Sequence, residues 1–110
     1  GAINDVDIYR VEVLASDLLN KSMHPGILEV PPAGPQDLNS LAHHPGEEFI
    51  HVLEGEITLY TEDYKPVDLK EGDSAYLDST SGHRFVSRTQ TPARILVVCS
   101  DITSETSEGE

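Results

Sequence analysis

The stretch His44-Pro45-Gly46-Glu47-Glu48-Phe49-Ile50-His51-Val52-Leu53-Glu54-Gly55 decides the fold. Its second half alternates: Ile50 and Val52 fall on one side, Phe49, His51 and Leu53 on the other, which is the period of a strand. Glu54-Gly55 then turns the chain, and Glu56 to Tyr60 resumes the same pattern, so the two runs predict a β-hairpin. The first half sets an imidazole and a carboxylate four residues apart. In an extended chain His44 and Glu48 therefore share the inward face with Ile50 and Val52, while His51 points away. Pro45-Gly46 interrupts the strand at its start and leaves His43 able to swing to either side.

Outward from this hairpin, strand-like runs recur at Ile8 to Val13, Ile27 to Val30, Val67 to Leu69, Ser74 to Leu77, Arg84 to Ser87 and Ala93 to Cys99, about eight in all. Ser16 to Asn20 reads as a helical turn that Pro25-Gly26 does not allow to continue. Residues Pro31 to Ser40, with three prolines, read as a surface loop. Short strands, Gly- and Pro-rich turns and no amphipathic helix predict an all-β antiparallel barrel or jelly roll. One domain is expected over residues 1–100. Residues 101–110 carry four acids and a single apolar side chain, Ile102, and are expected to form a disordered acidic tail.

Composition narrows the function. The chain has 110 residues, with 20 Asp plus Glu against 7 Lys plus Arg, for a formal charge of −13. That length suits one domain burying about 65% of its open-chain surface. An acidic chain repels phosphate backbones and anionic lipid, so it is not expected to grip nucleic acid or membrane by itself. The longest apolar run, Ile95 to Cys99, is strand-sized and far short of the ~18 residues of a membrane span. The chain opens on Gly1 without a secretory leader, which we read as a cleavage scar with an N-terminal part missing. The single cysteine, Cys99, permits no internal disulfide and no Cys-rich zinc site; it reads as a core filler in a cytoplasmic protein.

Five histidines, at 24, 43, 44, 51 and 83, are the chemistry-bearing residues. His83 follows the Ser81-Gly82 turn on a different strand. If that strand lies beside or across from Glu48, two imidazoles and one carboxylate converge, a facial set that holds iron(II) and, in similar forms, manganese, zinc or nickel. The alternative is a set of hydrogen-bonded pocket histidines beside a solvated acidic pair, and spacing does not decide between them. Tyr76 and Asp78 share a face and offer a hydroxyl and a carboxylate to a ligand; otherwise they are a core aromatic and a turn residue. Arg84, Arg88 and Arg94 are expected to pair with acids, with an anionic-ligand clamp at Arg84 as the sharper reading. The Phe49, His51 and Leu53 face is expected to pack on another strand or a second subunit.

The segments His44 to Gly55 and Gly72 to His83 resemble the paired motifs of the cupin superfamily. Within it, Tyr9 to Leu18, Ile27 to Pro32, Gly46 to Phe49, Val52 to Glu56, Asp73 to Ser79 and Pro92 to Arg94 are most similar to the C-terminal sensor domain of xenobiotic-response-element-type helix-turn-helix regulators. The resemblance implies a jelly-roll barrel with a divalent metal (Fe, Mn, Zn or Ni) on His44, Glu48 and His83. The family's first histidine falls on Ala42, so His43 would have to substitute for it. The usual proline before the second-motif histidine is Gly82, and the usual asparagine is Ser87. The implied function is effector sensing by a homodimer, without catalysis, with DNA bound through an N-terminal domain beyond this chain. A small metal-dependent dioxygenase or isomerase, with Tyr76 or His43 as acid or base, is the alternative, and a barrel serving only for dimerisation is a third.

Overall fold

Alternation of apolar and polar side chains is realised as strands throughout. The computed structural model describes residues 3–6, 8–34 and 41–100. Among them are nine strands: β1 Ile3–Val6, β2 Tyr9–Val13, β3 Met23–Val30, β4 Glu47–Glu54, β5 Glu56–Thr61, β6 Val67–Lys70, β7 Ser74–Asp78, β8 His83–Ser87 and β9 Ala93–Ser100. They form a six-stranded sheet, ordered β1-β2-β3-β9-β4-β7, and a three-stranded sheet, ordered β6-β5-β8. Every pairing between named strands is antiparallel. This is the expected all-β jelly roll.

The core lies between the sheets. Ile50 and Val52 of β4, Ile57 of β5, Phe85 of β8 and Ile95 of β9 are all essentially solvent-free. At about 25 cal/mol per Å² of apolar surface, burial of these aliphatic and aromatic side chains is the dominant stabilising term. On β4 the inward set is Glu48, Ile50 and Val52, as the sequence predicts, while Leu53 on the other face is exposed.

One strand is unforeseen, and two local expectations are corrected. The strand β1 carries the polar pair Asn4-Asp5 and has no apolar alternation to reveal it; it forms because it pairs along β2. The segment Ser16 to Asn20 makes turns and bends rather than a helical turn, with Ala15 and Asn20 in the left-handed region (φ 52 and 60) at its two ends. The strand read from Ile27 begins at Met23, so Pro25-Gly26 sits inside β3, paired with Val98 and Val97. The Pro25 carbonyl accepts from Leu14 N at 3.1 Å, just beyond the end of β2, so the proline's missing donor faces the side where that neighbouring strand has stopped. Gly26 lets β2 approach: a Cβ there would stand 3.2 Å from Glu12 O. The proposed acidic tail and residues 35–40 of the proposed loop lie outside the described residues.

Candidate metal centre

Backbone pairing delivers the site. The segment before β4 runs along the end of β8 and the turn after β7: Ala42 and His83 exchange both backbone hydrogen bonds, His44 N donates to Ser79 O at 2.8 Å, and Ser79 N donates to Gly46 O at 2.9 Å. Those bonds carry His44 from the six-stranded sheet to within reach of His83 on the three-stranded sheet. Gly46 makes the crossing possible. Its φ is +95, and a Cβ there would lie 2.0 Å from Ser100 O. Gly82, where the resembled family has proline, uses the N–H that proline lacks to bond the Glu62 carboxylate.

Glu48 is the centre of the arrangement and is 3% exposed. Its Oε1 faces His44 Nε2 at 3.3 Å and His83 Nε2 at 3.2 Å, and it accepts from Ser79 Oγ at 3.1 Å. The two imidazole rings meet edge to face, 5.3 Å apart. Burial alone would raise the Glu48 carboxyl, but hydrogen bonds from His44 and His83 and their positive charge outweigh it and bring the group down to about 2.

The ring orientations test whether a cation fits. His83 Nδ1 lies 2.8 Å from the Ser81 carbonyl, and His44 Nδ1 lies 3.3 Å from the Pro45 carbonyl. A carbonyl oxygen only accepts, so in both rings Nδ1 is the donor and Nε2 is the atom turned to Glu48. A neutral Nε2 would press its lone pair against a carboxylate oxygen. The contact therefore requires something positive: a second proton on each ring, or one cation shared by both nitrogens and the carboxylate. The residues fit a metal ion, with Ser79, Ser81 and Pro45 orienting its donors.

These groups line a cavity of about 510 Å³. Its walls are mostly apolar, with Val11, Val13, Leu28, Phe85 and Val97, and Lys21 is its one lysine or arginine among the described residues. Tyr9 also lines it, but its hydroxyl is committed to the backbone of β8: it accepts from Phe85 N at 2.9 Å and lies 3.4 Å from Phe85 O. Cys99, read from sequence as a core filler, also faces the cavity directly across from Glu48. Burial first, then the Glu48 charge, pushes its thiol up to about 12. His24, which the sequence left without a role, is the cross-strand partner of Cys99 on the other side. Neither residue stands near the quoted motif in sequence; only the register of β3, β9 and β4 brings them there.

The other predicted site residues lie elsewhere. His43 is exposed and does not line the cavity, because the segment's pairing turns His44 inward and alternation turns its neighbour out. Tyr76 is 68% exposed on the outer face, where its hydroxyl donates to Glu47, and that carboxylate raises the phenol above its usual range. Asp78, on the same outer face, accepts from Thr80 Oγ1 and N at 2.7 and 3.0 Å, bonds that hold its carboxyl below the usual range. Both border a second depression formed with β5 and the segment that follows it. Arg84 is buried, but it alternates with the cavity-lining His83 and Phe85 and so points off the cavity. Arg88 and Arg94 pair with acids as expected, Arg88 with Glu56 at 2.9 Å and Arg94 with Glu54 at 3.5 Å.

An antiparallel jelly roll whose cavity is lined by two inward histidines and a glutamate defines a class of β-barrels with a candidate metal centre. The chain matches the cupin-domain family over residues 26–99 and belongs to it. Among solved structures it is similar to hydroxypropylphosphonic acid epoxidase from S. wedmorenis, at 28% identity and a TM-score of 0.75, covering 89% of this chain and 54% of that one. The iron(II) form of that enzyme matches comparably, at 28% identity and a TM-score of 0.73. A sugar phosphate isomerase of the cupin superfamily from Silicibacter pomeroyi is 26% identical, with a TM-score of 0.66, covering 84% of this chain and 59% of that one. The chain thus spans little more than half the length of these proteins. A Cupin 2 conserved barrel domain protein from Salinispora arenicola, 18% identical with a TM-score of 0.73, shares the fold over 99% of this chain and 91% of its own. No curated protein matches the chain.

Proposed function

We propose that this chain is the ligand-sensing module of a transcriptional regulator, holding a divalent cation on His44, Glu48 and His83 and a small organic effector in the adjoining cavity. The observation that carries the cation is the approach of both Nε2 atoms to one buried carboxylate oxygen, each ring donating its other N–H to a carbonyl. When bound, such an ion supplies Lewis acidity and open coordination positions for the oxygen atoms of a ligand. The apolar walls take the body of that ligand. Tyr9 fixes the wall at β8, and Ser79 keeps Glu48 aimed inward. The regulator part rests on the sequence resemblance and on the acidity of the chain, which leaves DNA contact to a basic domain outside it.

A second reading, a metal-dependent enzyme, is favoured by the likeness to the epoxidase and the isomerase. Two measurements separate these readings. Protein purified without chelator should carry about one equivalent of iron, manganese, zinc or nickel, and the His44→Ala/His83→Ala variant should carry essentially none; equal sub-stoichiometric metal in both overturns the cation. A helix-turn-helix segment encoded upstream of residue 1 supports the regulator, and a start codon at that point overturns it.

A further inference from the structure

The donors at the centre do not end with the three that the motifs supply. The cross-strand register places His24 of β3, Cys99 of β9 and Glu48 of β4 in one row across three adjacent strands, and all three line the cavity. Directly opposed residues on one sheet face have Cβ atoms about 4.5–5.5 Å apart, so the thiol and the carboxylate are held side by side by the backbone. The ligand atoms of His44, Glu48 and Cys99 lie within 4.8 Å of one another. A tetrahedral ion bonded to nitrogen at about 2.1 Å and sulfur at about 2.3 Å needs those atoms only roughly 3.6 Å apart. His83 stands outside that group of three but meets it at Glu48 Oε1, 3.2 Å from its Nε2, so closing all four onto one ion asks the side chains to turn inward.

We propose that Cys99 is the fourth donor of the metal centre, completing a two-nitrogen, one-oxygen, one-sulfur set with His44, His83 and Glu48, and that the centre is thereby tuned to zinc- or cobalt-like ions. This rests on the reading of His44, Glu48 and His83 as cation donors. On coordination the S–H bond breaks, a sulfur–metal bond forms and the proton passes to solvent, so each ion bound releases one proton from Cys99; no electron is transferred. Beside the Glu48 carboxylate and without an ion, the thiol keeps its proton, and a divalent charge in the centre reverses that local preference. Soft sulfur also separates this set from an all-nitrogen-and-oxygen triad, which leaves more positions open and suits iron(II). His24, on the far side of Cys99, is left to face the cavity.

Anaerobic titration of the whole chain with cobalt(II) tests this. The expected result is one equivalent bound, with an intense near-ultraviolet thiolate-to-cobalt charge-transfer band that grows in step with binding. Outer-sphere partners of metal ligands already cost 10–100-fold in affinity, so Cys99→Ser and Cys99→Ala should abolish the band and weaken cobalt binding about 100-fold. Stoichiometric cobalt with no such band in the unaltered chain overturns Cys99 as a ligand and leaves the His/Glu centre standing. No stoichiometric cobalt in the unaltered chain overturns both. The wild-type spectrum decides the matter even if a Cys99 variant folds poorly.

Discussion

Glu48 concentrates the consequences of the site in one side chain. Burial would raise its carboxyl, but the hydrogen bonds and charge contacts with His44 and His83 hold it at about 2 against an ordinary 4.5. A carboxyl whose folded value is depressed contributes stability that is fully present above its unfolded value and is lost as the pH falls through the folded one. The window is therefore pH 4.5 down to about 2, and a shift of this size corresponds to about 3 kcal/mol. We expect the chelated protein to lose about that much between those limits in urea titrations, and Glu48→Gln to lack this component. Parallel losses in the two proteins would show that the histidines do not act on Glu48. Much of this site is legible at the level of residues. The spacing of His44 and Glu48 gives their shared face, and the resemblance brings in His83. The same parity leaves His43 open and puts Tyr76 with Asp78 correctly, yet it does not say which face of β7 is the outer one. The pairing of Phe49 with Tyr76 settles that.

Among the elements, the crossing segment from Ala42 to Gly46 decides whether the donors meet. It belongs to no strand, and its hydrogen bonds go to His83 and Ser79, 33 to 41 residues away in sequence. That is why sequence alone leaves its direction open: alternation is a local signal, whereas this path is fixed by a non-local pairing. The same holds for β1, whose residues lack apolar periodicity, and for β3, where Pro25 and Gly26 carry local breaker signals that tertiary context overrides. Gly46 gives this a measurable form. Gly46→Ala must hold an L residue at φ +95 and also move the Ser100 carbonyl, whereas Gly72, at φ +91, has nothing within 4 Å of a built Cβ. We expect Gly46→Ala to cost about 3 kcal/mol or more and to impair cation binding, while Gly72→Ala costs only the backbone strain, about 1 kcal/mol, and binds normally. Equal destabilisation by the two substitutions in thermal and denaturant unfolding would contradict the close approach of Gly46 to β9.

At the scale of the molecule, the candidate centre is also a clasp between the sheets. Glu48 and Cys99 belong to the six-stranded sheet and His83 to the three-stranded one. Beyond core packing, the described ties across this gap include the Tyr9 hydroxyl on the Phe85 backbone and the bridges Ala42 to His83 and Pro32 to Ser87. An ion bonded to donors of both sheets is bound by the assembled barrel and not by the open chain, whose donors are scattered from residue 44 to residue 99. It therefore stabilises the whole fold by mass action. At a free concentration 100 times the dissociation constant this is about 2.7 kcal/mol, which for a domain of this length raises the melting temperature by roughly 10 °C. We expect calorimetry with excess zinc or cobalt, against chelated protein, to show that rise as a single cooperative transition. The His44→Ala/His83→Ala variant should show none of it. A rise of equal size in that variant would place the ion elsewhere on this acidic surface, and a second, separate transition would mean that the ion holds one sheet only.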